Sequence, residues 1–453
     1  MSAPHRFDPG SIGAFRVTDR TYDEDSRTLS LGYSLDEQYS FVETITFETP
    51  PPGDVRLGAP GLERAILHLH IAAGTSYYKA AAPRRVVVEG TGLLPSEREF
   101  HRHLYDDGLR EFAVTNGLGV PLPVQIEPGC DDPQPSLPAS SAGSGGLLVP
   151  IGGGKDSMVL IEALKPFEPR LFAVNPHPLV LELARRSGLD LVVVRRRLSP
   201  RLGEVNAAGG LNGHVPITAI ISLIAVVGSF LYGYDTIAMA VERSASEETV
   251  LVDGTPVNHQ YSKSLEFERL LQGLIATAID PGLTYFSALR PYSELAIARA
   301  FSRLTGYHAV FCSCNAVFRQ SAGPDDRWCG DCPKCRFVGL VLAPFMDPDA
   351  VASVIGRDLF DDPGQIDGFA ALMSDADKPF ECVGERRESA AAMRILSSLP
   401  RWREKVVVAA LAGRARSLVD EDEVAELLAP GVEGSGARAD LAVAVRRLLT
   451  DAA

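Results

Sequence analysis

Leu148-Val-Pro-Ile-Gly-Gly-Gly-Lys-Asp-Ser-Met-Val-Leu160 runs from a short apolar stretch, through three contiguous glycines, into a segment with helical spacing. That order decides the fold. Glycines let a backbone approach an anion closely, and the free N–H groups and positive dipole end of the helix that follows point at it. The stretch does not fit G-x-x-x-x-G-K-[ST], because its lysine precedes Asp156 and its glycines are contiguous. It also lacks the spacing of a dinucleotide fingerprint.

Downstream, short apolar runs alternate with helical segments. The expected strands are 147–151, 171–174, 191–194 and 236–241, with helices over 156–164, 178–187 and 215–231. Such alternation predicts an α/β domain with a doubly wound parallel sheet covered on both faces, its ligands gathered at the strands' C-terminal ends. Upstream, strand-like stretches at 40–48 and 84–89 and a helix over 95–108 predict an α+β domain. Residues 127–146 are crowded with Pro, Ser and Gly and carry no apolar period, so they read as a linker. Beyond 348 the chain reads as helices, including 388–398, 406–418 and 437–449. The expected division is therefore an N-terminal α+β domain (1–126), the linker, an α/β domain (147–347) and a helical C-terminal region (348–453). No internal repeat of fixed period occurs.

The chain has 453 residues, 45% hydrophobic and 23% charged, enough to bury two or three cores. Its net charge of -14 would repel a phosphate backbone and argues against nucleic acid as a partner. The N-terminus lacks the apolar core of a secretory signal. The longest apolar run, 215–231, is broken by Thr218, Ser222, Gly228 and Ser229 and reads as a buried helix rather than a membrane span. Seven cysteines are present, five of them between 312 and 335. That distribution suits a reduced compartment and a metal site better than a disulfide scaffold, and the expected location is the cytoplasm. Composition leaves the oligomeric state open.

Cys312-Ser-Cys314 is followed by Trp328-Cys329-Gly-Asp-Cys332-Pro-Lys-Cys335. Two overlapping C-x-x-C steps with a distal cysteine favour tetrahedral zinc, with an iron–sulfur cluster as the alternative. Gly330 and Pro333 suit the tight turns needed to aim nearby sulfurs at one ion. The preferred ligands are Cys314, Cys329, Cys332 and Cys335, with Cys312 competing for the fourth place.

The glycine loop resembles the Ser-Gly-Gly-x-Asp-Ser loop of PP-loop ATP pyrophosphatases, with Gly152 in place of the usual serine. That resemblance implies that Gly152, Gly153, Gly154, Asp156 and Ser157 hold the β- and γ-phosphates of ATP as leaving pyrophosphate. It also implies Mg²⁺, charge from Lys155, and a contact to adenine or ribose from Asn175. Asn175-Pro-His-Pro178 reads equally well as a plain helix start. The cysteine cluster is similar to the structural knuckle of PP-loop enzymes that make 7-cyano-7-deazaguanine.

Further stretches, 70–79, 212–217, 242–246, 258–264 and 378–385, resemble the ATP-dependent UDP-N-acetylmuramoyl-L-alanyl-L-glutamate epimerases of bacterial peptidoglycan synthesis. This resemblance spans nearly the whole chain. It implies inversion of the terminal glutamate of a UDP-linked muramoyl dipeptide through an acyl-adenylate, with release of AMP and pyrophosphate.

No spacing singles out the group that moves the α-proton. Glu242, which follows an expected parallel strand, ranks first, and His214, His259 and Cys312 are the other candidates. Arg243, Lys263 and Arg319 offer charges for the substrate's carboxylates or phosphates, and Tyr77, Tyr78 and Lys79 offer an N-terminal contact. The rival readings are a PP-loop amidoligase or deazaguanine-type synthase, a tRNA-thiolating enzyme, and a nucleotide-binding protein without turnover.

Overall fold

The computed structural model describes residues 6–50, 60–130, 145–314, 317, 327–374, 381, 383–431 and 436–450. Among these residues it contains the strands β1 (Ala14–Asp23), β2 (Thr28–Leu35), β3 (Tyr39–Phe47), β4 (Arg85–Val88), β5 (Gln125–Pro128), β6 (Gly146–Pro150), β7 (Arg170–Val174), β8 (Leu191–Arg197), β9 (Tyr234–Met239), β10 (Val250–Val252), β11 (Thr255–Val257) and β12 (Thr284–Ser287). The fold is mixed α/β.

The chain forms two compact units, each assembled from three segments. The first comprises Met1–Leu148, Val192–Ile237 and Leu251–Tyr285. It takes in residues from both sides of the expected linker, of which 131–144 lie outside the described residues. Strands β8, β3, β2, β1, β4 and β5 are successive neighbours here. β1, β2 and β3 form an antiparallel meander, and β4 joins β1 in parallel.

The sequence pattern placed β8 in a parallel sheet, but here it runs antiparallel to β3, Ile45 opposite Arg196. That pairing carries a buried ion pair, Arg196 Nε to Glu43 Oε1 at 2.6 Å, and Arg196 also donates to Ser76 Oγ at 2.8 Å. Removing either partner would leave an uncompensated buried charge. Parallel pairing holds at β6 and β9, where Leu148 faces Ile237.

The apolar run becomes the helix Ile217–Tyr232, buried along nearly its whole length and ended by Gly233 at φ 76°. A chain with buried strands needs such a helix on its sheet face, which is why the run carries almost no polar stripe. No helix among the described residues is long and apolar enough to cross a membrane.

The second unit comprises Val149–Leu191, Ala238–Val250 and Phe286–Ala453. Ile151 donates to Phe172 across β6 and β7, and Ala288 donates to Met239 beside β9. The helix Lys155–Leu164 leaves the glycine loop and is covered by the helices Glu294–Phe301 and Ala439–Thr450. The expected C-terminal helices appear as Arg386–Ser398, Val406–Leu418 and Ala439–Thr450. Trp402, fully buried, stacks edge-on against Phe360 and donates its indole N–H to Met346.

Candidate functional site

The glycine loop joins β6 to the helix Lys155–Leu164, as its composition requires. Gly153 sits at φ 91°, a left-handed backbone that disfavours any side chain, and Gly154 is the helix N-cap in extended conformation. Ser157 turns its hydroxyl back to donate to the Gly154 carbonyl at 2.9 Å. The loop is fastened from outside by the Cys312 N–H, which donates to the Gly153 carbonyl at 3.1 Å.

Lys155 does not point outward from the loop. It is 2% exposed, and its ammonium pairs with Glu294 and, at 2.5 Å, with Asp156. Asp156, Glu242 and Glu294 each bring a carboxylate oxygen within 4.8 Å of the others. Glu242 and Glu294 are buried and Asp156 only partly so; gathering these carboxylates is tolerable only with positive charge among them, and Lys155 supplies it.

The cluster is held from behind by residues the sequence reading missed. Arg290, fully buried, donates to the Glu242 carbonyl at 2.9 Å. Glu388 accepts from the Glu294 N–H at 2.7 Å and from the Glu385 N–H at 2.8 Å. Burial, reinforced by the Glu385 charge, holds the Glu388 carboxyl well above the usual carboxylate range. Arg243 lies 3.8 Å from Glu385. No local spacing announces Arg290 or Glu388, because each reaches the cluster through the fold.

Asn175 closes β7 with φ 47°, a conformation asparagine adopts more readily than most residues. His177 caps the next helix, accepting from the Leu179 N–H, with Pro178 at the first helical position. The helix-start reading of this stretch therefore holds, whatever else Asn175 touches.

The cysteine cluster assembles Cys314, Cys329, Cys332 and Cys335, whose sulfurs all lie within 4.8 Å of one another. The distances are 3.9 Å for 314–332, 3.7 Å for 329–335 and 3.5 Å for 332–335. Zinc–sulfur bonds at tetrahedral angles give sulfur separations of about 3.8 Å, so this set fits zinc. Gly330 at φ 69° and Pro333 at the start of the helix Pro333–Leu342 make the turns. Cys312 stands outside the set. Its thiol donates to the Arg327 carbonyl at 2.5 Å, and burial pushes it up to about 12, which unsuits it for proton abstraction.

In the first unit, three residues distant in sequence converge: Glu111, His214 and His259. The Glu111 carboxylate pairs with His259 Nδ1 and lies 3.6 Å from His214 Nδ1. The imidazole rings are 4.7 Å apart between centroids. Burial, aided by His259, lowers His214 to about 4, so it is neutral at pH 7. Lys79 donates to Asn212 Oδ1 at 2.5 Å and to the Gly213 carbonyl at 3.1 Å, and Lys263 donates to Gln260 at 3.1 Å. Glu111 was not anticipated.

Two other expected contacts differ. Tyr78 is 1% exposed, edge-on to Tyr105 and Phe15, and Tyr77 stacks on Tyr33 at 4.7 Å, so both rings belong to the core of the first unit. Arg319 lies outside the described residues, as do Lys378–Phe380 and Cys382 of the stretch 378–385.

Comparison with known proteins divides the sequence at a single place, unlike the interleaved compact units. Residues 6–288 match the family model MurL N-terminal domain, and residues 310–426 match MurL C-terminal domain. A Salinispora tropica protein named UDP-N-acetyl-alpha-D-muramoyl-L-alanyl-L-glutamate epimerase is 43% identical over 411 residues, 88% of either chain. Proteins of the same name from a Micromonospora species and from Xanthomonas oryzae pv. oryzae are 42% and 38% identical, covering 83% and 89% of this chain and 84% and 90% of their own. No solved structure matches the chain.

Proposed function

The chain belongs to the MurL family, and from that premise we propose that it inverts the terminal L-glutamate of UDP-N-acetylmuramoyl-L-alanyl-L-glutamate to D-glutamate, driven by ATP cleavage to AMP and pyrophosphate. The observation that carries the ATP half of this reading is the glycine loop. It opens a buried helix beside three convergent carboxylates.

The chemistry explains why an epimerase would consume ATP. The α-proton of an ionised carboxylate is very weakly acidic, because the carbanion left behind would sit beside an existing negative charge. In an acyl-adenylate the same charge spreads onto a neutral carbonyl. A substrate carboxylate oxygen attacks the α-phosphate, pyrophosphate leaves, and the activated centre exchanges its proton. Water then releases the inverted acid and AMP.

Gly152, Gly153, Gly154 and the first N–H groups of the helix at Lys155, Asp156 and Ser157 would cradle the leaving pyrophosphate. Asn175 would face the nucleoside. Asp156, Glu242 and Glu294 offer the hard oxygen donors Mg²⁺ prefers and would hold it, where it supplies charge neutralisation for the triphosphate. Cys314, Cys329, Cys332 and Cys335 would hold zinc, which supplies a rigid cross-link. For proton transfer, Glu242 offers a buried carboxylate, and His214 with His259 offers imidazoles that a carboxylate orients. Arg243, Lys79 and Lys263 are the cations suited to the substrate's acidic groups.

Isotope exchange between pyrophosphate and ATP tests the activation step. Exchange that requires Mg²⁺ and the UDP-linked L-glutamyl dipeptide is the expected result. Absence of exchange, with ATP instead split to ADP, would remove the adenylate from the account.

A further inference from the structure

The glycine loop lacks a hydroxyl where the motif it resembles has one, because Gly152 stands at the serine position. Crowding does not explain the loss: a Cβ on Gly152 would meet no heavy atom within 4 Å. Two residues on, the loop is crowded by a different serine. A Cβ on Gly154 would lie 3.0 Å from Ser313 Oγ, so this hydroxyl is seated against the loop's backbone from a segment more than a hundred residues away in sequence.

Ser313 is held there from both sides. The preceding Cys312 N–H donates to the Gly153 carbonyl at 3.1 Å. The following Cys314 N–H donates to Cys312 Sγ at 3.3 Å, and Cys314 carries one of the four convergent sulfurs. Ser313 is half-buried, and among the described residues its hydroxyl has no hydrogen-bond partner. A donor fixed in place, facing an anion-binding loop and without a partner, is equipped to donate to a phosphate oxygen.

We propose that Ser313 supplies to a bound polyphosphate the hydroxyl that Gly152 lacks. The cysteine knuckle thereby becomes part of the nucleotide site, since the tether that fixes Cys314 also fixes Ser313. This assignment rests on the nucleotide reading of the loop.

Calorimetric titration of the full chain with Mg²⁺ and either inorganic pyrophosphate or ATP tests it, with zinc content and thermal melting measured on every variant. Ser313→Ala is expected to weaken pyrophosphate binding about tenfold or more, the loss of one hydrogen bond to a charged group, with zinc content and melting unchanged. Adding Gly152→Ser to Ser313→Ala is expected to restore part of that affinity, because position 152 has room for the side chain. Wild-type pyrophosphate affinity in Ser313→Ala would overturn the assignment. So would a loss of affinity that only tracks loss of zinc. If the wild-type chain binds neither ATP nor pyrophosphate, the nucleotide reading itself falls, and this assignment with it.

Discussion

Two clusters of ligand-type side chains in the second unit balance their charge in opposite ways. The four sulfurs of Cys314, Cys329, Cys332 and Cys335 converge with no cationic side chain among the group. The carboxylates of Asp156, Glu242 and Glu294 converge around Lys155, whose ammonium already pairs with two of them. Thiolates crowded at 3.5–3.9 Å would repel one another without a metal, so under the proposed zinc site the first cluster is a closure that the metal would complete. The second already carries one internal cation. Its internal cation can be exchanged for another, which suits a site that must accept and release a charged substrate.

Removing the metal from the first cluster should therefore have the largest effect, on the order of 10 kcal/mol of binding free energy that is also folding free energy. Cys335→Ala is expected to lose zinc and to become sensitive to limited proteolysis around 310–345. A zinc-free variant with wild-type melting and protease resistance would erase the distinction between the clusters.

Lys155→Met attacks the second cluster. It leaves the buried Glu294 without its cation, beside a partly exposed Asp156, and should cost about 3–5 kcal/mol in denaturant unfolding. Added Mg²⁺ is expected to recover part of that loss, since a divalent cation replaces the missing charge. A variant as stable as wild type without Mg²⁺ would mean that the carboxylates need no internal cation.

A third cluster, in the first unit, balances charge with protons. His214 is lowered to about 4 by burial, with His259, Glu111, Lys263 and Lys79 around it. In the unfolded chain it titrates near 6.5, so between these values the unfolded state binds more protons and stability falls as the pH falls. The expected cost is up to about 3 kcal/mol, appearing below pH 6.5 and complete near pH 4. His214→Asn should flatten that limb in melts taken from pH 7 to 4.5, whereas an unchanged limb would place the acid sensitivity elsewhere.

The smallest expected effect is at Asp156. Asp156→Asn removes one charge while leaving Lys155 paired with Glu294, and should weaken Mg²⁺–ATP binding about tenfold, roughly 1.4 kcal/mol. Titration with Mg²⁺ held constant measures it. An unchanged affinity would take Asp156 out of the metal-holding set.

What the sequence made legible was what lies close along the chain. The glycine loop, the C-x-x-C steps and the apolar run that becomes Ile217–Tyr232 all carry their chemistry within a few residues, and each appears where its spacing placed it. The antiparallel pairing of β8 with β3 did not show, because a run such as Leu191-Val-Val-Val194 is equally apolar in either direction of pairing. Glu111, Arg290 and Glu388 did not show either. As isolated charged residues they resemble solvated surface groups, and only tertiary packing brings them to a histidine pair or to the back of a carboxylate cluster. Tyr78 misled for the converse reason, since a tyrosine in a distinctive stretch looks like a contact residue until its ring is found in the core.

In the proposed reaction, ATP cleavage activates a carboxylate so that the neighbouring carbon can invert. Incubating the protein with ATP, Mg²⁺ and UDP-N-acetylmuramoyl-L-alanyl-L-glutamate in D₂O, while following AMP, glutamate chirality and α-deuterium together, tests it most directly. The predicted result is AMP formed alongside D-glutamate that carries deuterium at its α-carbon. Inversion without AMP, or AMP without inversion, would contradict it.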